Sequence, residues 1–295
     1  MSKVSIIIPA RNEKYLKRTL DNLYENATGD FEVIVGFNGR TDYPLMNDYP
    51  NLTVIYESQN IGLKPMINLL ARIANGKYIY KSDAHCSFSP GFTEILQEGM
   101  LDNWVVTPRF YVLDGKTWEW QDDRFYDYFY LCCPFTDKRG LRFKAGGHWP
   151  ERTKEKLESH PEWDETPQMH GSGWFMNRDY FFNVLGGFPE DDPDGHAQEP
   201  IWLGLKNWLM GGKLMVNKRC WYAHLHQDSK DRGYPEDRKH TELTYNNVAR
   251  HWLLNREPNL IHDFEWFVDK FMPMPTWPEN WKELYSKWKE EQQHG

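Results

Sequence analysis

The chain has 295 residues, a length that favours one large domain or one domain with an appendage. Hydrophobic residues make up 40% and charged residues 26%, which excludes a disordered chain and fits a folded globular protein. The net charge of −8 excludes binding of nucleic acid by bulk positive charge. Aromatic residues make up 16%, so we expect either a thick core or flat surfaces that stack on sugars or bases.

The first hundred residues alternate between apolar runs and segments of helical spacing. Strands separated by helices indicate a parallel sheet with helices on both faces, the doubly wound α/β class. Ligands of such sheets bind at the carboxyl ends of the strands. The predicted strands are Val4–Ile8, Phe31–Phe37, Leu52–Tyr56 and Lys77–Lys81, and the predicted helices are Lys14–Tyr24 and Leu63–Ala74.

Three polar segments follow these strands directly: Asn12–Glu13, Asn38–Asp42 and Ser82–His85. Any one of them is typical of an ordinary turn, because Asn, Asp and Gly are common turn formers. Three at the same edge of the sheet favour a binding site.

The alternation stops between about Thr117 and Thr166. Basic residues of the segment Asp137–Lys156 surround Gly146-Gly147, which predicts a mobile loop that closes over an anion, with a plain solvated loop as the alternative. Beyond it we predict a turn at 171–173, helices at Asp179–Leu185 and Pro200–Met210, and a strand at Lys213–Val216.

The last part of the chain, from Gln227 onward, is rich in Trp. Helical spacing recurs in Leu243–Leu254 and Trp281–Trp288, which predicts a helical appendage packed on the main domain. Its Trp residues serve either packing, which we favour, or a sugar-binding platform.

The cysteines and the N-terminal segment indicate in which cellular compartment the protein is expected. Cys86, Cys132, Cys133 and Cys220 lack the paired spacing of zinc sites and disulfide frameworks. The N-terminal apolar run ends at Pro9, too early for a signal peptide, and no stretch approaches the roughly 20 apolar residues of a membrane span. We therefore expect a cytoplasmic protein without a membrane span.

Asp83-x-His85 is the sharpest chemical motif, because a carboxylate and an imidazole two residues apart at a strand end can point into one cleft. A third ligand is available at His224 or at His226, and both could instead be core histidines. One Asp and two His suit Mn²⁺ better than Mg²⁺, which prefers oxygen ligands.

Several segments together resemble nucleotide-sugar glycosyltransferases of the GT-A fold, family 2 broadly. The opening VSIIIPARNEKYLKRTLDNL and the stretch ANGKYIYKSDAHCSF carry this likeness. The motif order is closer still to the polypeptide N-acetylgalactosaminyltransferases: SDAHC is similar to their Asp-Ser-His-Cys, and TPQMHGSGWFMNR to their Thr-Pro-x-Met-Ala-Gly-Gly-Leu-Phe. The segments His196–Trp202, Trp208–Gly212 and Ala223-His224 complete the match, which covers about residues 3–227.

The resemblance implies a GT-A domain over residues 1–227, with a nucleotide-binding half at 1–115 and an acceptor and sugar half at 116–227. Residues 228–295 are then a helical extension. It assigns Asp83, His85 and His224 to the metal, and Glu199 to the carboxylate that binds sugar hydroxyls. It places the nucleotide sugar against Pro9, Arg11, Asn12, Glu13, Asn38, Lys64, Asp83, Gly171, Ser172, Gly173, Trp174 and His196. From the residues alone, Glu13 could equally cap a helix, and Lys64 could be a solvated surface residue.

The implied activity is metal-dependent transfer of a sugar from a nucleotide-diphosphate sugar, a UDP-sugar, to an acceptor hydroxyl of a protein Ser/Thr or a glycan. Mn²⁺ or Mg²⁺ is the expected cofactor, and the likeness is to a stripped-down bacterial or viral version. Asn38 stands where the family usually carries a uracil-binding Asp, and His196 replaces its sugar-contacting Trp, so base and sugar stay open.

Retention is expected, while inversion would use Glu199 or Asp192 as a general base. The alternatives are a phage-type glycosyltransferase acting on hydroxymethylated DNA and a carbohydrate-binding protein without activity.

Overall fold

A computed structural model describes residues 1–39, 49–143, 147–159, 162–190, 198–227, 233 and 238–294. The predicted Arg40–Asp42 segment, Lys144–Gly146, Asp192 and His196 lie outside these residues.

The first half is the predicted alternation of strands and helices. Strand β1 pairs in parallel with β2 and with β4, and β2 pairs in parallel with β3. Strands β1, β2 and β4 are buried on both faces, which explains their continuous apolar runs, whereas β3 lies at the edge of the sheet and is partly exposed. The elements are β1 (Val4–Ala10), α1 (Leu16–Asn26), β2 (Phe31–Asn38), β3 (Leu52–Glu57), α2 (Leu63–Ile73) and β4 (Tyr78–Ser82), so each predicted strand and helix of this half is confirmed to within a few residues at its ends.

The second half extends the same sheet with mixed pairing. Strand β11 joins β4 and β6 antiparallel, and β12 runs parallel to β6, giving the order β10-β12-β6-β11-β4-β1-β2-β3. The elements are β5 (Cys86–Phe88), α3 (Phe92–Ile95), β6 (Trp104–Leu113), β7 (Trp120–Tyr126), β8 (Phe129–Tyr130), β9 (Gly147–His148), α4 (Pro150–Ser159), β10 (Trp163–Glu165), β11 (Gly173–Asn177), α5 (Arg178–Asn183), α6 (Glu199–Leu209) and β12 (Lys213–His224). The α/β class is confirmed, and the sheet is parallel in its first half and mixed in its second.

Strand β12 is much longer than the predicted Lys213–Val216. Its pairing with β6 is interrupted between Asn217 and Trp221 and then resumes, so that His224 stands opposite Val112. Three residues of β12 bulge out of the ladder at this point, and an irregular stretch of this kind hides a long strand from a search for apolar alternation.

The segment predicted as a basic mobile loop is partly regular structure. Gly147 and His148 form β9, and α4 starts at Pro150. Arg142 is only 5% exposed and its Nη1 lies 2.5 Å from the Glu242 carboxylate. Arg139 pairs with Asp137 at 2.7 Å. The loop prediction is therefore wrong for residues 147–156, and two of the basic side chains are neutralised by partners.

The C-terminal part of the chain is helical, as predicted, with α7 (Arg238–Leu253), α8 (Phe264–Phe271) and α9 (Trp281–His294). One hydrophobic cluster runs from the sheet residues Ile7 and Val105 to Trp252 and Trp281 of these helices. The Trp277 indole N–H donates to the Leu131 carbonyl at 2.6 Å. These Trp side chains pack in the core, while the domain boundary at residue 227 stays a prediction.

None of the described helices is both long and apolar enough to cross a bilayer.

Trp252 is fully buried and its ring lies 5.1 Å from that of Trp202 in α6. We expect Trp252→Ala to lower the free energy of unfolding by about 3–5 kcal/mol, because it removes a large buried side chain and leaves a cavity. Trp120→Ala is the matched control, since Trp120 is 43% exposed and should lose about 1 kcal/mol or less. Urea denaturation measures both values, and equal losses would contradict the packing of α7 into the main core.

Candidate metal centre

Pairing between β5 and β12 brings the two predicted histidines together. His224 stands opposite Cys86, the neighbour of His85, and the Leu225 N–H donates to the His85 carbonyl at 3.1 Å. Asp83 follows β4 directly, at the carboxyl end of that strand. The geometry therefore comes from three strand ends that meet at one edge of the sheet.

Asp83, His85 and His224 offer ligand atoms that all lie within 4.8 Å of one another. The Asp83 Oδ2 lies 3.3 Å from His224 Nε2 and 3.9 Å from His85 Nε2. The structure thus places His224, rather than His226, beside Asp83 and His85. A carboxylate with two imidazoles at this spacing suits a divalent transition metal such as Mn²⁺.

The state of His224 fits a metal ligand. Burial lowers the pKa of His224 to about 3, although Asp83 opposes the shift, so the imidazole is neutral at pH 7. Within the described part of the chain, neither of its buried ring nitrogens makes a hydrogen bond of good geometry. A neutral imidazole with an available lone pair is the form that binds a metal.

Glu13 supports His85 from the first loop. Its Oε2 lies 3.2 Å from His85 Nδ1, which leaves Nε2 on the side of Asp83. A carboxylate on the far nitrogen of a histidine fixes the ring and raises its basicity as a ligand. Glu13 was predicted to contact the nucleotide or to cap a helix, and its contact with His85 is a third arrangement.

Lys81 is the residue of this centre that sequence reasoning missed. Its ammonium is 1% exposed and lies 2.5 Å from Asp83 Oδ1, 2.7 Å from the Gly171 carbonyl and 3.5 Å from Glu199 Oε1. Burial alone would lower the pKa of Lys81, but Asp83 and Glu199 hold it above its ordinary value. A lysine inside an otherwise apolar strand, just before a Ser-Asp pair, was the available signal.

Glu199 opens α6 and is 3% exposed. Burial raises its pKa to about 7, with Asp83 adding to the rise and Lys81 opposing it. A Cβ at Gly171 would lie 2.7 Å from both Glu199 carboxylate oxygens, so a larger residue there would displace this carboxylate. The structure therefore brings Gly171, Glu199 and Asp83 together around Lys81.

The other residues of the predicted 171–174 segment are buried in the protein. The Asp83 N–H donates to the Ser172 carbonyl at 2.9 Å, which ties this turn to the metal centre. Gly173 begins β11. Trp174 is 0% exposed and packs near Phe181 and Phe188, so its ring lies in the core and offers no face to the cleft.

The predicted nucleotide-binding residues lie along the same edge. Pro9 is in β1, Arg11 follows that strand, and Asn12 donates to the Gly233 carbonyl at 2.7 Å. Asn38 ends β2, where its side chain accepts from the Ile61 N–H at 2.9 Å and donates to the Gly62 carbonyl at 3.0 Å.

Lys64 lies in the first turn of α2 and is 0% exposed, so the alternative of a solvated surface lysine is wrong. Its Nζ lies 5.9 Å from the centre of the Trp202 ring, on the helix α6 that Glu199 opens.

The family and the curated relatives that this chain matches are all glycosyltransferases. Residues 5–184 match the family described as glycosyl transferase family 2. The putative polypeptide N-acetylgalactosaminyltransferase 13 of Drosophila melanogaster is 25% identical over 73% of this chain and 40% of its own length. The human polypeptide N-acetylgalactosaminyltransferase 15 is 28% identical over 61% of this chain and 27% of its own length. The chain thus spans less than half the length of these curated relatives.

Solved structures agree in fold. GalNAc-T7, crystallised with UDP, GalNAc and Mn²⁺, superposes with a TM-score of 0.67 at 18% identity over 86% of this chain and 49% of that one. Residues 1–349 of S. aureus TarS, in complex with UDP-GlcNAc, give a TM-score of 0.51 at 16% identity over 78% of this chain and 60% of that one. At these identities the likeness concerns the fold, which is that of GT-A glycosyltransferases.

The Lys81 contacts predict a large effect of substitution. Lys81→Met should lower the free energy of unfolding by about 3–5 kcal/mol, because it leaves the buried Glu199 and the partly buried Asp83 without their cation. The double variant Lys81→Met/Glu199→Gln should recover part of that loss. Lys77→Met is the control, since the Lys77–Asp102 pair is exposed and worth about 1 kcal/mol or less. Equal urea midpoints for the two single variants would contradict the role of Lys81.

Proposed function

The chain belongs to glycosyl transferase family 2, and on that premise we propose a metal-dependent transfer of a sugar from a UDP-sugar to a hydroxyl of a protein Ser/Thr or a glycan. The observation that carries the proposal is the trio Asp83, His85 and His224 at the carboxyl edge of the sheet. Mn²⁺ is the proposed cofactor, because the trio combines one oxygen and two nitrogen ligands.

Asp83, His85 and His224 would hold the cation, which when bound neutralises the diphosphate of the leaving nucleotide. Lys81 orients Asp83 by holding Oδ1, so that Oδ2 faces the two imidazoles. Glu13 orients His85 in the same way from its far nitrogen. The protein therefore fixes the ligands before any ion arrives, which avoids the cost of ordering them on binding.

The donor would lie along the edge between the first loop and the turn before β11. The proposed nucleotide contacts are Pro9, Arg11, Asn12, Asn38 and Lys64, with Gly171–Gly173 and His196 on the sugar side. Glu199 would accept hydrogen bonds from sugar hydroxyls, a role that suits a carboxyl group packed against the Gly171 turn. The likeness to proteins whose structures hold UDP or UDP-GlcNAc supports a UDP-sugar.

We propose retention of the anomeric configuration. An inverting enzyme needs a carboxylate that reaches the acceptor hydroxyl. Among the described residues of the centre, Asp83 is engaged by Lys81, Glu13 by His85, and Glu199 is buried against Lys81. Their engagement supports a mechanism in which a phosphate oxygen of the leaving group takes the proton. Asp192, the other proposed catalytic carboxylate, would then bind the substrate rather than act as a base.

Thermal unfolding tests the donor and the metal together. UDP-GalNAc, UDP-GlcNAc, UDP-glucose and GDP-mannose are each added with and without Mn²⁺, and we expect a UDP-sugar to raise Tm only when Mn²⁺ is present. A ligand at 100 times its Kd stabilises the native state by about 2.7 kcal/mol. Asp83→Asn should abolish this shift, whereas Asp269→Asn, in an exposed ion pair, should keep it. A shift that survives in Asp83→Asn would rule out the proposed trio.

The stereochemistry is tested on the product. Once a donor is identified, proton NMR of the glycoside gives the anomeric coupling constant, and we expect the configuration of the donor to be kept. An inverted product would contradict retention and would point to a base such as Asp192.

A further inference from the structure

A second group of histidines lies beside the proposed metal centre. His170, in the turn before β11, joins His224 and His226 at the end of β12, and their ligand atoms all lie within 4.8 Å of one another. The ring centres are 5.0 Å apart for His170 and His224, 5.4 Å for His170 and His226, and 4.9 Å for His224 and His226. Three imidazoles, and no carboxylate, make up this group.

An apolar floor holds the three rings together. The Phe110 ring, fully buried in β6, lies 4.9 Å from His170, 6.2 Å from His224 and 5.7 Å from His226. Contacts of this kind limit the orientations of the rings without occupying their nitrogens. The apolar ring also limits the access of water from its own side of the group.

A hydrogen-bond chain orients His170. Its Nδ1 lies 2.6 Å from Ser172 Oγ, and Ser172 Oγ in turn donates to the Tyr222 hydroxyl at 3.1 Å. The Ser172 backbone N–H donates to the same Nδ1 at 3.3 Å. Both contacts hold the ring through Nδ1, so Nε2 is the nitrogen that would meet a metal ion. Binding of an ion at Nε2 requires the ring hydrogen to lie on Nδ1, where the neighbouring Ser172 Oγ can accept it.

We propose that His170, His224 and His226 form a second metal site, which takes a nitrogen-preferring ion such as Zn²⁺. Three imidazoles with an open fourth position suit Zn²⁺, whereas Mn²⁺ stands lowest in affinity for such sites and Mg²⁺ requires oxygen. Zn–N bonds of about 2.0–2.1 Å place the ligand nitrogens roughly 3.4 Å apart, so the rings must draw together slightly. His226 is exposed and lies just beyond the end of β12, which lets it make this adjustment.

His224 belongs to both groups, and this has a consequence for the proposed cofactor. A neutral imidazole has one lone pair, so a Zn²⁺ ion that takes His224 withdraws it from Asp83 and His85. Zn²⁺ and Mn²⁺ therefore compete, although their other ligands differ. The competition rests on the proposed Mn²⁺ centre, while the site itself rests on the three histidines alone.

Isothermal titration of the full chain with Zn²⁺ alone, and separately with Mn²⁺ alone, tests the site. His226→Asn and His170→Gln should each weaken Zn²⁺ binding at least about tenfold and leave the Mn²⁺ affinity within about twofold. His85→Asn is the matched control and should do the reverse. Co²⁺ supplies a spectroscopic readout, because four-coordinate Co²⁺ has intense visible bands, which His226→Asn should remove.

Unchanged Zn²⁺ affinity in His226→Asn would overturn the proposal, as would a loss confined to His85→Asn, which would place Zn²⁺ at the first centre. His226 is exposed, so its variant should fold even where His170→Gln does not, and Tm in the presence of a chelator checks this. If Zn²⁺ binds as expected but Mn²⁺ does not promote the binding of UDP-sugars, the three-histidine site is supported and the proposed function is contradicted.

Discussion

The buried ammonium of Lys81 holds together the segments that form the candidate metal centre. Lys81 lies at the end of β4 and contacts Asp83, the carbonyl of Gly171 and the first residue of α6, Glu199. A buried cation is costly unless its charge is matched, so these three segments must stay close for the fold to be stable. Burial, with a smaller contribution from Asp83, raises the pKa of Glu199 to about 7. Two carboxylates face one ammonium, and this surplus of negative charge favours a further cation at the centre.

The register of β12 is the second constraint, because side chains alternate between the faces of a strand. A shift of one residue would turn His224 away and put Leu225 in its place. The bulge between Asn217 and Trp221 resets the pairing with β6, and the pairing with β5 then fixes His224 opposite Cys86. The position of His224, a proposed metal ligand, is thus decided by hydrogen bonds made several residues earlier in the strand.

Sequence reasoning predicted the parts that depend on local pattern. Strands β1, β2 and β4 are buried on both faces and are recognisable as apolar runs, and the Asp83-x-His85 motif is contiguous. Strand β6 was not predicted, because Pro108 and Arg109 interrupt its apolar run and two of its partners, β11 and β12, are distant in sequence. Lys81 could not be assigned a partner, because Gly171 and Glu199 come near it only through tertiary folding. Trp174 was expected to contact the sugar, but it lies in the core. The sequence does not show how deeply a side chain is buried once distant segments pack on it.

The high aromatic content acquires a structural explanation in α6. Every residue of this helix is buried, and a helix buried all round needs cover on every side. The sheet covers one side, and the C-terminal helices cover the other through Trp202 against Trp252 at 5.1 Å and Trp208 against Phe271 at 5.1 Å. Since α6 begins at Glu199, the rings that fasten the extension also hold this carboxylate against Lys81. The Trp-rich end of the chain therefore supports the candidate metal centre through packing. It fixes helix α6, whose first residue is the second carboxylate beside Lys81.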